Sequence, residues 1–400
     1  MDLDTGATAW VLISAALVLL MVPAVGLFYG GMVRKKNVIA TMMLSLVALA
    51  LGIVQWIIIG YTLAFGGDVG GVIGSLEFFG LAGIPLDGVT NGIPDILFVC
   101  FQMMFACLAL AILTSGAVGR IKLSSYIVFG LAWLTLVYAP LAHWAWGGGW
   151  ASQLGALDFA GGTVVHISSG FAALALALVI GKRIGFGTQN FAPHNIPMTL
   201  IGGVFLILGW FGFNAGSALA ADTLAANAFL VTAAAAATGA LTWIAISSIH
   251  GKPGSLGFIS GALAGLVGIT PAAGYVNAAG ALLIGIITSA VCYAVLNWRV
   301  KKGLDESLDA WAIHGMGGFT GAILTGVFAV SAICGVGGLI EGNVMQFGIQ
   351  VLDAVIAAVY AFGVTFALAW IVNKTMGLRV THDEEYVGMD LVQHGEQAEA

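Results

Sequence analysis

The residues best suited to chemistry are two histidines, His166 and His314, that lie inside long apolar stretches of the sequence. A neutral imidazole keeps one hydrogen-bond donor and one acceptor without a full charge, and burial favours this neutral form. Two such rings in contact could pass a proton from one to the other. Each could equally be a separate core histidine bonded to a carbonyl oxygen, so proton chemistry requires that the fold bring the rings together.

Three aspartates share this apolar setting. Asp158 and Asp309 stand at the starts of the stretches that carry the histidines, and Asp353 lies within another. Ionisable groups are costly inside a membrane, so each is a functional candidate. Asp158 could cap the following helix, contact a substrate directly, or do both. Asp309 is predicted to cap its helix in the same way, whereas Asp353 has no evident partner in the sequence and receives no role.

Other chemistries lack the residues that they need. No third buried histidine, cysteine or carboxylate stands at ligand spacing from the histidine pair, so no metal and no cofactor are predicted. A membrane-embedded enzyme would need a nucleophile, a metal set or paired buried carboxylates, and the sequence offers none of these, so no enzymatic activity is predicted. Nucleic acid is not an expected partner, because no basic patch with interleaved aromatics occurs.

The elements that must position these residues are membrane helices. Sixty per cent of the 400 residues are apolar and 8% are charged, which is too little charge to cover a water-soluble globule of this length. The 58 glycines would let helices pack closely in lipid. Eleven apolar stretches approach or exceed the ~20 residues that cross a bilayer: 8–32, 37–65, 93–118, 124–144, 159–180, 195–219, 224–249, 255–272, 276–298, 310–332 and 346–373.

The basic residues predict how these helices are oriented. All 13 lysines and arginines follow odd-numbered stretches: Arg34, Lys35, Lys36, Arg120, Lys122, Lys182, Arg183, Lys252, Arg299, Lys301, Lys302, Lys374 and Arg379. By the positive-inside rule the N-terminus lies outside and the C-terminus inside. Acidic residues on the outer side would modestly favour the approach of cations: Asp2, Asp4, Asp68, Glu77, Asp87 and Glu341.

An odd number of spans permits two inverted halves, helices 1–5 and 6–10, followed by a final helix. His166 and His314 then occupy matching positions near the middle of the membrane. His166 is eight residues past Asp158, and His314 is five past Asp309. If each aspartate marks a membrane surface, the histidines lie ~12 and ~8 Å from opposite surfaces and remain about 10 Å apart in depth. Spacing alone therefore does not predict contact.

Seven motifs resemble the ammonium transporter family, the Amt/Mep/Rh group, in order and spacing along almost the whole chain. They are GLFYGGMVRKKN from Gly26, FQMMFA from Phe101, AHWAWGGGW from Ala142, DFAGGTVVH from Asp158, GWFGFNAGS from Gly209, DAWAIHG from Asp309 and EEYVGMDLVQHGE from Glu384. The resemblance implies a homotrimer of eleven-helix protomers in the cell (inner) membrane. Each protomer would hold its own narrow pore with His166 and His314 paired at the centre.

The same resemblance implies roles for further residues. Trp146 and Ser217 would form an outer recruitment site, with Phe105 in its wall and Asp158 holding the region in shape. Phe105 and Phe213 would stack as the outer gate. Phe28 and Tyr29 would line the inner half of the pore.

The function implied is ammonium transport. Ammonium would be recruited outside and deprotonated, and ammonia would cross the pore with or without a separately relayed proton. A neutral gas channel of the Rhesus type, conducting ammonia or carbon dioxide, and an ammonium sensor are the alternatives. Residues 1–374 would form the membrane domain, and residues 375–400 a cytoplasmic regulatory tail that a PII-type protein could contact.

Overall fold

A computed structural model describes residues 2–398, and the chain is mostly helical. Long apolar runs form helices because a backbone in lipid must satisfy its hydrogen bonds within the segment itself. The described residues contain eleven principal helical segments: α1 (Thr5–Met32), α2 (Lys35–Phe65), α3 (Asp95–Gly116), α4 (Leu123–Leu154), α5 (Gly162–Ile180), α6 (Ile196–Gly216), α7 (Thr223–His250), α8 (Ser255–Ile269), α9 (Ala278–Lys301), α10 (Trp311–Gly315 continued by Met316–Phe328) and α11 (Val344–Thr375).

Nine of these segments, all except α8 and α10, are long and apolar enough to cross a membrane within the described part of the chain. The fifteen residues of α8 rise about 22 Å, less than the ~30 Å of hydrocarbon. Each apolar stretch predicted from the sequence nevertheless overlaps one principal helix. The helix α4 is interrupted near its end, where Gly147 closes one helix and Trp150–Leu154 forms a further turn.

The remaining elements are short and lie between or after the principal helices. The loop from α2 to α3 contains two small antiparallel hairpins, Asp68–Val69 with Ile73–Gly74 and Val89–Thr90 with Ile93–Pro94. Helical turns occur at Phe79–Leu81, Ser331–Cys334, Leu339–Glu341 and Asp390–His394, and the tail contains α12 (His382–Val387). The last two residues of the predicted tail, 399 and 400, lie outside the described residues.

The packing brings α5 and α10 unusually close. A Cβ atom on Gly170 would lie 2.1 Å from the backbone nitrogen of Gly315, and one on Gly318 would lie 2.9 Å from the Cβ of His166. Any side chain at Gly170 would therefore collide with backbone. Since Gly170 is one helical turn past His166, and Gly315 directly follows His314, these glycines allow the two histidine helices to meet.

Candidate pore

The two histidines are in contact at the centre of the molecule. His166 Nδ1 lies 3.2 Å from His314 Nδ1, and the ring centroids are 5.2 Å apart. One nitrogen must donate and the other accept, so the rings share a single proton at this contact. Both histidines stand in π-helical turns, Gly162–Ile167 and Trp311–Gly315. Such turns are rare and often occur at functional sites.

The separation of about 10 Å in depth expected from helix spacing is wrong. It treated Asp158 and Asp309 as markers of the membrane surfaces. In the structure α5 begins at Gly162 and α10 at Trp311, so each histidine is within four residues of the start of its helix. The segments that precede these helices are not helical, and a rise of 1.5 Å per residue does not apply to them.

Trp210 stacks against both imidazole rings. The sequence did not identify it as a site residue. Its ring stacks on His166 at 5.3 Å and on His314 at 6.5 Å between centroids. Its indole N–H donates to Thr270 Oγ1 at 2.9 Å, which fixes the plane of the ring. The residue stands in the GWFGFNAGS motif between Gly209 and Ser217, and that motif was the available signal.

Asp158 caps the helix that carries His166. Its carboxylate accepts from four consecutive backbone amides, those of residues 161 to 164, at 2.6 to 3.2 Å. Its own carbonyl oxygen accepts the indole N–H of Trp146 at 2.8 Å. Asp158 is not among the residues that line the outer cavity. Of the roles left open for Asp158, these contacts support the cap, and direct contact with substrate stays a prediction.

The other two aspartates also have partners. Asp353, which had no role in the sequence, accepts from Thr163 Oγ1 at 2.9 Å and so supports the same segment as Asp158. The prediction that Asp309 caps α10 is wrong. Its carboxylate pairs instead with the guanidinium of Arg299. Instead, a Glu306 carboxylate oxygen lies 3.4 Å from the backbone nitrogen of Trp311, in the first turn of α10.

A cavity of about 280 Å³ lies on one side of the histidines. We call it the outer cavity, after the side of the membrane that the positive-inside rule predicts for it. It is lined by both predicted recruitment residues, Trp146 and Ser217, and by Phe105. Gln102 and Phe159 also line it, although neither was identified from the sequence. Gln102 Oε1 is buried without a hydrogen-bond partner among residues 2–398. This cavity therefore combines aromatic faces with polar oxygen atoms.

Two phenylalanines in contact, with their ring planes tilted by 30°, separate this cavity from the histidines. The rings of Phe105 and Phe213 are 4.3 Å apart between centroids and almost completely buried. Phe213 stacks in turn on His166 at 5.7 Å. Phe105 also meets Trp146 edge to face at 6.2 Å. The sequence-predicted pair is thus in contact, on the outer side of the histidines.

On the other side of the pair lies a narrow inner cavity. Its volume is about 20 Å³, which is room for roughly one water-sized molecule. Phe28, Tyr29 and His314 line it, together with Trp210 and aliphatic side chains. The phenol of Tyr29 donates to the carbonyl of Ile112 at 3.1 Å, so its oxygen is held in the wall.

This arrangement defines a polytopic helical membrane protein in which an aromatic pair and a histidine pair separate an outer cavity from a narrow inner one. The chain belongs to the ammonium transporter family, whose model matches residues 9–399.

Individual relatives agree with this assignment. The chain is 52% identical over 396 residues to ammonium transporter Amt1 of Archaeoglobus fulgidus, covering 99% of this chain and all of that protein. It is 46% identical to an ammonium transporter of Bacillus subtilis, with 99% of both chains covered. Among solved structures, Saccharomyces cerevisiae Mep2 matches with a TM-score of 0.90 at 37% identity, over 96% of this chain and 89% of Mep2. A structure named as a sensor Amt protein matches with a TM-score of 0.91 at 30% identity, over 97% of this chain and 98% of that protein.

Proposed function

We propose that this protein conducts ammonium nitrogen across the cell (inner) membrane, with His166 and His314 carrying its proton. Ammonium is taken up in the outer cavity and loses its proton near the phenylalanine pair. Ammonia then crosses the apolar segment to the inner cavity. The observation that carries this proposal is the 3.2 Å contact between the two Nδ1 atoms, buried between the two cavities.

The outer cavity supplies what a small cation needs when it leaves water. The indole face of Trp146 attracts it by about 0.5 to 2 kcal/mol. Ser217 donates its hydroxyl proton to the Phe213 carbonyl at 2.8 Å, so its oxygen lone pairs are free to accept an N–H. Gln102 Oε1 offers a second acceptor. Potassium would feel the same aromatic attraction but cannot donate hydrogen bonds, which favours ammonium.

Beyond Phe105 and Phe213 the walls are apolar, and an ion would cross at high cost. Ammonium therefore gives up its proton between Ser217 and His166, at the phenylalanine pair, where Phe213 stacks on His166. The proton binds His166 Nε2, which has no hydrogen-bond partner among residues 2–398. His166 Nδ1 passes a proton to His314 Nδ1, and His314 releases one toward the inner side. One ammonium ion thus yields one ammonia and one separately carried proton, which makes the transport electrogenic.

The arrangement in the membrane is part of the same proposal. Eleven spans, with the N-terminus outside and the C-terminus inside, agree with the distribution of the lysines and arginines and with a principal helix in every predicted stretch. We propose that the protein works as a homotrimer with one pore per protomer. Residues 375–400 form a cytoplasmic regulatory tail that is accessible to a PII-type protein.

The test is to measure current from purified protein in liposomes while ammonium, potassium and pH are varied. The wild type should give a current that depends on ammonium and not on potassium. His166→Ala and His314→Ala should each abolish most of it. His382→Ala is the matched control, because that histidine is 74% exposed in its side chain and far from the pair in the sequence.

The outcomes separate the alternatives. Uptake of ammonia without ammonium-dependent current would contradict the electrogenic mechanism and support a neutral gas channel. Ammonium binding with neither current nor uptake would support a sensor, a second candidate that is favoured by the similarity to the sensor Amt structure.

A further inference from the structure

A second cavity on the outer side, of about 470 Å³, has walls rich in aromatic rings. Tyr61, Phe65, Phe78 and Phe98 line it. Their rings contact one another in series, with centroid distances of 5.9 Å from Phe78 to Tyr61, 5.5 Å from Tyr61 to Phe65 and 4.9 Å from Phe65 to Phe98. We call this cavity the aromatic chamber.

One carboxylate lines the aromatic chamber. Asp95 is partly buried, and its side chain makes no hydrogen bond or ion pair with another residue of the described chain. No lysine or arginine lines the chamber. A Cβ atom on Gly88 would lie 2.2 Å from Asp95 Oδ2, so the loop backbone packs directly on the carboxylate. A partly desolvated negative charge beside aromatic faces has a strong preference for a cation.

The aromatic chamber adjoins the outer cavity of the pore. The two cavities share four lining residues: Phe65, Asn91, Phe98 and Leu219. Leu219 has a φ of +55°, a region that residues other than glycine rarely adopt. Asn91, with a φ of +53°, is the first residue of the Asn91–Gly92 hairpin turn, where positive φ is usual. The hairpin turn and Leu219 thus form the boundary between the two cavities.

We propose that the aromatic chamber binds methyl-substituted ammonium cations, with Asp95 as counter-charge. Aromatic walls suit a cation whose charge is covered by methyl groups, because it needs few hydrogen-bond acceptors. Size adds a second restriction. A tetramethylammonium ion fits a chamber of about 470 Å³ but cannot pass an inner cavity of about 20 Å³.

A bound cation would sit across the shared wall from Trp146 and Ser217 and repel ammonium there. It should therefore slow ammonium entry from the outer side. This consequence rests on the proposed function, whereas the binding itself does not.

The direct test is a titration of purified full-length protein in detergent with tetramethylammonium, followed by the NMR linewidth of its methyl protons at constant ionic strength. The wild type should show saturable binding of one ion per chain. Asp95→Asn and Phe78→Leu should each weaken it about tenfold. Asp95→Asn keeps the shape of the side chain and a residue type that suits the start of α3, so its fold is expected to be preserved.

Matched controls come from the same loop. Asp87→Asn removes an exposed carboxylate, and Phe79→Leu alters a ring that is 51% exposed; neither lines the chamber, and both should bind within about twofold of the wild type. Binding that does not saturate, or that is equal in all five proteins, would reflect the detergent micelle and overturn the proposal.

Ammonium current in liposomes distinguishes the two proposals. Competition from the outer side, lost in Asp95→Asn, supports both. Binding without any ammonium current would leave the chamber standing and reject the transport function. Ammonium current with no tetramethylammonium binding would reject the chamber and leave the transport function standing.

Discussion

At the scale of single residues, a third buried histidine, His143, connects two elements near the outer cavity. Its Nδ1 lies 2.9 Å from the carbonyl oxygen of Ala64, and its Nε2 lies 2.9 Å from Asp68 Oδ1. Both neighbours are oxygen atoms, so the ring bridges the end of α2 and the carboxylate of the hairpin that follows it. The pair joins the loop after α2 to the turn of α4 that precedes the break at Gly147. Trp146, in the wall of the outer cavity, follows three residues later.

This pair predicts a dependence on pH. The hydrogen bond from His143 lowers the pKa of the Asp68 carboxyl. A lowered pKa stabilises the fold above the unfolded value, ~3.9, and the stabilisation is lost as the pH falls through the folded value. Asp68→Asn should therefore lower the thermal unfolding midpoint in detergent at pH 5 and above. The difference from the wild type should shrink as the pH falls below about 4.

Asp87→Asn provides the control for this measurement, because Asp87 is exposed on the same side of the protein and has no histidine partner among the described residues. Equal midpoints for the wild type and Asp68→Asn at pH 5 would contradict a stabilising role for the contact between Asp68 and His143. A difference that persisted undiminished at pH 3 would contradict the assignment to the ionised carboxylate.

At the scale of elements, α11 presents one polar face to the segment that leads into α5. Gln346, Gln350 and Asp353 are four and three residues apart, which places them on the same side of a helix. Gln346 donates to the Gly155 carbonyl at 3.0 Å. Gln350 donates to the carbonyl of Leu157 at 2.8 Å and accepts from its amide at 2.6 Å. This face therefore supplies hydrogen-bond partners to the non-helical backbone that leads into α5.

Removing a polar side chain from this face of α11 should displace His166 more than it alters the outer cavity. Gln350→Leu removes the partner of both backbone polar groups of the half-buried Leu157, at a cost of about 1–3 kcal/mol. The segment should loosen, and the maximal ammonium current should fall severalfold with little change in half-saturation. Leu352→Ala, which alters a side chain that is 45% exposed on α11, should leave both quantities near the wild type. A change in half-saturation alone would contradict a role in positioning His166.

The sequence could predict most helices because lipid demands long apolar runs, and those runs are visible without a structure. The start of a helix inside the protein is not visible in this way, which is why the depths of His166 and His314 were misjudged. The partner of Asp353 could not be found either, since Thr163 is 190 residues away. Trp210 looked like an ordinary core residue, because stacking on two rings from other helices depends entirely on tertiary packing.

At the scale of the whole molecule, the tail is docked on the membrane domain through backbone and side-chain bonds. Asn37 Oδ1 accepts from the Met389 amide at 3.0 Å, and the Ala40 amide donates to Asp390 Oδ1 at 2.9 Å. Gln393 accepts from the Leu123 amide at 2.7 Å. The tail is therefore linked to the starts of both α2 and α4.

The buried carboxylate of Glu385 is the main charged group that holds the tail against the membrane domain. Its carboxylate is 1% exposed and accepts from Arg379 at 2.7 and 2.9 Å and from the amide of Ile184, in the loop after α5, at 2.8 Å. It thus connects the tail to a second loop. Replacing it by glutamine keeps the volume but removes the charge that Arg379 requires.

Glu385→Gln should release the tail. Arg379 is 30% exposed and partly solvated, so the expected loss is about 1–2 kcal/mol rather than the 3–5 kcal/mol of a fully buried pair. Amide hydrogen exchange should speed up across residues 382–394 and in the loop after α5, by about tenfold, while the helices around His166 keep their protection. Asp383→Asn removes a fully exposed carboxylate from the same helix and should change nothing. Unchanged exchange in Glu385→Gln would mean that the backbone bonds to α2 and α4 hold the tail without the charge.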